Sequence, residues 1–141
     1  MYPDHFPLQN NCTIAVIGLG YVGLPLAVEF GKVQACILSG SQLNRRVIGF
    51  DINKERVEEL KRKKDRTHET SVKELEEASN LEFTNDPKNL YEADVFIVTV
   101  PTPIDSTKRP DLSPLEKACK TIGFAVRERN MQQKEKKAYS M

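Results

Sequence analysis

Three glycines in the run Gly18-Leu19-Gly20-Tyr21-Val22-Gly23 are the first residues of this sequence whose types and spacing could do chemistry. The pattern G-x-G-x-x-G is weak alone, because glycines coincide by chance. Here it directly follows a short β-branched run, Thr13-Ile14-Ala15-Val16-Ile17, and opens a segment of helical periodicity, which is where its mechanism needs it. In that setting Gly18 permits a tight turn, Gly20 lets the backbone approach a diphosphate, and Gly23 allows the helix to pack close to the strand. The helix N-terminus then offers free N–H groups to the phosphates. The competing reading is a glycine-rich turn with no ligand.

A second apolar run, Val47-Ile48-Gly49-Phe50, ends in Asp51. A carboxylate at that strand end accepts hydrogen bonds from the adenosine ribose hydroxyls and repels a 2′-phosphate, so the expected cofactor is NAD rather than NADP. Asp51 could otherwise be only a strand-end or capping residue. Arg56 is open between two roles, neutralising a cofactor phosphate or serving as a solvated surface charge. Asp51 lies 28 residues beyond Gly23, more than the usual distance of about 20 in this fingerprint. The excess is an insertion at residues 33–46, whose Ser39-Gly40-Ser41 core reads as a loop on the sheet edge away from the phosphates.

The elements that must position these residues follow from hydrophobic spacing. Thr13 to Gly18, Val47 to Asp51 and Asp94 to Val100 are apolar runs suited to parallel strands buried on both faces, and Leu81 to Thr84 is a briefer one. Between them, Tyr21 to Lys32 has helical spacing with Pro25 in the first turn. Asn53 caps a helix to about Lys64, and Ser71 with Glu74 forms a capping box for a helix ending near Asn80. Asp86-Pro87 starts one or two helical turns. Ser113-Pro114-Leu115-Glu116 reads as another capping box, with Leu115, Ala118, Cys119, Ile122 and Val126 on one helical face. The alternation of strand and helix implies an α/β fold, a Rossmann-type parallel sheet with flanking helices. The expected organisation is a polar leader at residues 1–11, a partial dinucleotide-binding domain at 12–126, and a polar, disordered tail at 127–141. About four strands are present, so the second half of a doubly wound sheet is missing and the strand at 94–100 is an apolar edge open to self-association.

The run Ile14-Ala15-Val16-Ile17-Gly18-Leu19-Gly20-Tyr21-Val22-Gly23-Leu24-Pro25-Leu26-Ala27 resembles the opening of the UDP-glucose/GDP-mannose dehydrogenase family. Val98-Thr99-Val100-Pro101-Thr102-Pro103 resembles that family's second signature, and Pro110-Asp111-Leu112-Ser113-Pro114-Leu115 extends it. Asp65-Arg66-Thr67-His68-Glu69 is similar to the branch that oxidises UDP-N-acetylhexosamines for surface polysaccharides. The resemblance implies a twofold, NAD-dependent oxidation at C6 of the sugar. It implies backbone contacts from Tyr21 and Val22 to the pyrophosphate. Asp51 would sit on the adenosine ribose, and Val100, Pro101 and Thr102 would border the nicotinamide side, with Thr102 positioning a water. The family's nucleophilic cysteine, lysine and sugar-binding domain lie far downstream of the matching region. Cys12, Cys36 and Cys119 are therefore expected to be incidental, and this chain alone to be an inactive fragment or a non-catalytic nucleotide-binding module. Another Rossmann dehydrogenase, such as a hydroxyacid dehydrogenase, fits the Val-Pro-Thr-Pro segment less well.

Composition removes other function classes. Twenty-one basic against twenty acidic residues give a net charge of +1, which makes no electrostatic case for nucleic acid or an anionic membrane. No apolar run approaches the roughly 20 residues that span a bilayer, and no signal peptide is evident. An odd, widely spaced set of three cysteines supports neither a disulfide framework nor a metal site, and reads as reduced thiols in a cytoplasmic protein.

Overall fold

The computed structural model describes residues 11–140. The expected leader at 1–11 falls almost wholly outside them. In chain order the elements are β1 (Ile14–Ile17), α1 (Gly23–Gly31), β2 (Gln34–Ala35), β3 (Gln42–Leu43), β4 (Val47–Phe50), α2 (Lys54–Lys61), α3 (Val72–Glu77), β5 (Leu81–Thr84), a 3-10 helix (Pro87–Glu92), β6 (Val95–Val98) and α4 (Ser113–Tyr139).

Four of the strands form one parallel sheet in the order β5-β4-β1-β6. β1 is central, with Ile14 opposite Val47 and Val95, and Ile17 opposite Phe50 and Val98. All its side chains are buried, as the uninterrupted apolar run requires of a strand covered on both faces. Period-two alternation divides the core into two layers. Ile14 and Val16 join Leu24, Val28, Val57, Leu60 and Leu75 beneath α1, α2 and α3. Ala15 and Ile17 join Ile48, Phe50, Leu90, Ala118 and Ala125 beneath the 3-10 helix and α4. Because the chain reverses direction of winding at β1, the C-terminal ends of β1, β4 and β6 meet at one crevice, the usual ligand position in an open α/β sheet. β6 pairs only with β1 and is the edge of the sheet.

The local signals mostly operate as expected. Asn53 accepts from the Arg56 N–H, and Ser71 and Glu74 form the full reciprocal capping box. Asp86 accepts from the Lys88 N–H at the start of the 3-10 helix. Three features differ. The 33–46 insertion is not merely a loop, since β2 and β3 pair as an antiparallel hairpin with Gly40 at φ +68° in its turn. It lies between the end of α1 and the start of β4, at the opposite end of the strands from the glycine loop, which explains why it leaves that loop intact. At the start of α4 the Ser113 capping box does not form. Asp111 instead accepts from the Ser113 N–H and hydroxyl, a charged acceptor displacing a neutral one.

The third difference is the tail. In place of disorder from residue 127, α4 continues to Tyr139. The stretch holds no Gly or Pro after Gly123 and is rich in Ala, Glu, Gln, Lys, Arg and Met, all strong helix formers. Its extension is anchored where the Arg129 guanidinium donates to the Asp94 carboxylate and the Ala93 carbonyl. The packed face of α4 runs through Ala118, Ile122, Ala125 and Arg129, leaving Cys119 and Val126 exposed where an apolar face was expected. The tilted contact of Phe124 with Tyr91, at 6.1 Å between ring centres, fixes that rotation from the side.

Among the glycines, Gly23 has the least room for a side chain. A Cβ there would stand 1.7 Å from the Gly18 carbonyl oxygen and 2.3 Å from Thr99 Oγ1. Gly23→Ala is therefore expected to cost about 3 kcal/mol or more. Gly123→Ala in α4, where a Cβ meets nothing within 4 Å, is expected to add about 0.5–1 kcal/mol. Urea midpoints with unchanged slopes check both.

Candidate cofactor site

The crevice at the C-terminal ends of β1, β4 and β6 is a cleft of about 400 Å³. Its floor is the glycine loop, one wall is Asp51 to Asn53 with Arg56, and the facing wall is Val100, Pro101 and the first turns of α4. Gly18 takes φ +97°, a conformation that only glycine adopts without strain, and turns the chain out of β1. A Cβ on Gly20 would meet no atom within 4 Å, so that side of the backbone is open to the cleft. Gly23 plays its expected part, letting α1 start directly against Gly18.

Two charged side chains hold the loop. The Leu19 N–H donates to Asp51 Oδ2 at 2.9 Å, and the Leu19 carbonyl accepts from Arg56 Nε at 3.0 Å. The Leu19 side chain is fully buried. From β6, the Thr99 hydroxyl lies 3.0 Å from the Ile17 carbonyl and 2.8 Å from the Gly18 carbonyl. With the loop fixed on both sides, the N–H groups of Gly20, Tyr21 and Val22 meet no acceptor among the described residues. They are the free donors of a helix N-terminus, and Tyr21 and Val22 are exposed there. A diphosphate fits them.

Asp51 is a capping acceptor at the strand end, the second of the two roles that sequence left open, and this does not use up its carboxylate. Besides the Leu19 N–H it accepts the Asn53 N–H on Oδ1 at 2.9 Å, at the start of α2. A carboxylate has room for about four hydrogen bonds, so both oxygens retain capacity for the two ribose hydroxyls.

Arg56 is not the solvated charge that was one of its two expected roles. It is 4% exposed. NH1 lies 2.8 Å from Asp65 and 3.1 Å from Glu59, and NH2 lies 3.4 Å from Thr67 Oγ1. Asp65 is the hub of the loop after α2, with a side chain 1% exposed. Its Oδ1 accepts from the Thr67 N–H and hydroxyl, and its Oδ2 from the N–H groups of Glu69 and Thr70 and the Thr70 hydroxyl. Burial works to raise its pKa, but the hydrogen bonds from Thr67, Thr70 and Arg56 outweigh it, holding the carboxyl well below the usual range.

Residues 12–133 match the family model described as "UDP-glucose/GDP-mannose dehydrogenase family, NAD binding domain". The chain belongs to that family. It is 50% identical over 119 residues to the UDP-N-acetyl-D-glucosamine 6-dehydrogenase of Pseudomonas aeruginosa, covering 84% of this chain and 26% of that protein. A UDP-glucose dehydrogenase from Pyrobaculum islandicum superposes with a TM-score of 0.70 at 27% identity, covering 92% of this chain and 28% of the other. A GDP-mannose dehydrogenase from P. aeruginosa, solved as a ternary complex, gives 0.68 at 29% identity over 82% and 26%. The chain thus spans about a quarter of the length of these relatives. As the NAD-binding domain of the UDP-glucose/GDP-mannose dehydrogenase family, it takes NAD as its cofactor.

Within this family's domain the cleft gathers Gly18, Gly20, Asp51, Arg56, Val100 and Pro101 from the sequence-derived set. Tyr21 and Val22 stand at its rim as N–H donors, Gly23 lies behind the loop, and Thr102 is exposed just beyond the lining. Sequence reasoning missed Thr99, Arg66 with Thr67, and Lys117 with Thr121, which all line the cleft. The signal for Thr99 was a lone hydroxyl in an apolar strand, and Arg66-Thr67 lay in the segment that carried the branch resemblance. Lys117 and Thr121 had no local signal, since only the sheet order brings α4 opposite Asp51. No three acidic, His or Cys side chains cluster as a metal site among the described residues.

Asp65 gives the domain a pH dependence with a definite sign. Its folded pKa is depressed, so the unfolded chain takes up the proton first, at about 3.9. The stabilisation is complete above that value and is lost as pH falls through the folded pKa. Asp65→Asn is expected to cost about 3 kcal/mol at pH 7, because it strands buried Arg56. The gap to wild type is expected to narrow below pH 4, as read by urea unfolding at pH 7, 5 and 3.

Proposed function

We propose that this chain forms the cofactor half of a cytoplasmic UDP-N-acetylhexosamine 6-dehydrogenase, working on a nucleotide sugar held outside this domain. The observation that supports the cofactor geometry is the double clamp on Leu19, beside which the Gly20, Tyr21 and Val22 N–H groups meet no acceptor among the described residues and are available to a diphosphate. In this reading Asp51 accepts the adenosine ribose hydroxyls. Arg56 lines the adenosine end, Val100 and Pro101 border the nicotinamide side, and Thr102 positions a water near the reacting carbon. NAD supplies a two-electron acceptor when bound. The likeness to the P. aeruginosa UDP-N-acetyl-D-glucosamine 6-dehydrogenase supports the substrate class.

A second reading, binding without turnover by these 141 residues alone, is favoured by the cysteines. Cys12 lies in the core, Cys36 in the hairpin remote from the cleft, and Cys119 exposed on α4, and none lines the cleft. Self-association through the outer edge of β6 belongs to the same proposal. Sedimentation checks it, and a monomer at all concentrations contradicts it.

Isothermal titration of the chain with NAD is expected to show saturable binding, weakened about tenfold or more in Asp51→Ala, which loses the ribose acceptor and the Leu19 contact. A folded wild-type chain that binds no NAD contradicts the cofactor assignment. Turnover of a UDP-N-acetylhexosamine by the chain alone contradicts the second reading.

A further inference from the structure

The loop after α2 places a charge network against the adenosine end of the cleft, and the role assigned to the cleft above does not use it. A guanidinium has five N–H donors. Three of those of Arg56 are committed, to the Leu19 carbonyl, Glu59 and the Thr67 hydroxyl, and NH1 is also ion-paired with Asp65 at 2.8 Å. Asp65 is itself saturated by Thr67, Glu69 and Thr70, so it cannot swing away to release Arg56 without dismantling its own loop. Arg66 at the rim is half exposed, its guanidinium held among the described residues only by an ion pair, with Nε 3.4 Å from Glu59. Asp51, Arg56, Arg66 and Lys117 are the charged side chains that line the cleft, and behind the lining Glu59 and Asp65 pair with the two guanidiniums.

This arrangement matters because an arginine shortly after the ribose-binding acid is the usual partner of a 2′-phosphate. Arg56 stands five residues after Asp51 and lines the same cleft. Its reach toward a phosphate is limited by what already holds it. Resting on the NAD reading above, we propose that Asp65 is a positioning residue and a determinant of cofactor selectivity. It locks Arg56 onto the glycine-loop carbonyl, and so withholds from a 2′-phosphate the guanidinium that would otherwise receive it. Asp51 repels that phosphate directly, while Asp65 withholds the guanidinium on the same wall as Asp51 that would offset the repulsion.

Removing the charge of Asp65 frees one side of Arg56 and makes the adenosine end less negative. Glu59→Gln does the same more mildly, and it also loosens Arg66. The test is titration of NAD and NADP separately into the wild-type chain, Asp65→Asn and Glu59→Gln, with folding checked by circular dichroism. The ratio of the NADP to the NAD dissociation constant is expected to fall about tenfold in Asp65→Asn, the worth of one charge-assisted hydrogen bond, and about threefold in Glu59→Gln. The change should come from tighter NADP binding. A purely structural role weakens both dinucleotides in proportion, and an unchanged ratio overturns the proposal. If Asp65→Asn does not fold, the ratio in Glu59→Gln decides alone. Wild-type protein that binds neither dinucleotide overturns the NAD reading and this proposal together. Wild-type binding of NAD with unaltered ratios in the folded variants overturns the selectivity role only.

Discussion

The peptide groups on either side of Leu19 are the point on which the site depends. One donates to a carboxylate at the end of β4 and the other accepts from a guanidinium on α2. Charge-assisted hydrogen bonds of this kind are roughly twice as strong as neutral ones, and the fully buried Leu19 side chain prevents the loop from lifting as a unit. A loop without these ties would have to be ordered by its ligand at the expense of binding energy. Here the donors of Gly20, Tyr21 and Val22 are ordered by the fold, so the phosphate site proposed there is preorganised.

The clamp in turn requires the parallel sheet. Asp51 reaches Leu19 only because β4 lies beside β1 in the register that sets Ile17 against Phe50. Thr99 reaches the Gly18 carbonyl only because β6 lies on the other side. Gly23 allows α1 to begin within contact of that same carbonyl. Three strands and two helices thus converge on the glycine loop. The hairpin of the 33–46 insertion is tolerated because it is added at the far end of the strands, where none of these contacts is made.

The parts of this that are legible in the sequence are those whose physics is local. A buried strand closing on glycine, an acid ending the next strand, and the Ser71–Glu74 box each depend on residues a few positions apart, and each is present. What stays hidden depends on distant partners. Whether Arg56 is solvated or engaged turns on Asp65 and Thr67, brought in by a loop whose fold is set by five donors on one carboxylate. The end of α4 departs from the expected disorder because its polar residues, though without periodicity, have high intrinsic helix propensity, and Arg129 finds Asp94 across the fold. The start of α4 departs from the expected capping box because Asp111 takes the N–H and hydroxyl of Ser113. The spacing rule for a capping box takes no account of a stronger acceptor two residues earlier.

Amide hydrogen exchange of the ligand-free chain, resolved residue by residue, tests the preorganised loop most directly. The Leu19 amide is predicted to exchange as slowly as those of β1, while the amides of Gly20, Tyr21 and Val22 exchange fast and become protected on addition of NAD. A Leu19 amide that exchanges as fast as its neighbours before NAD is added, and slows only with them, would show that the ligand rather than the fold builds the site.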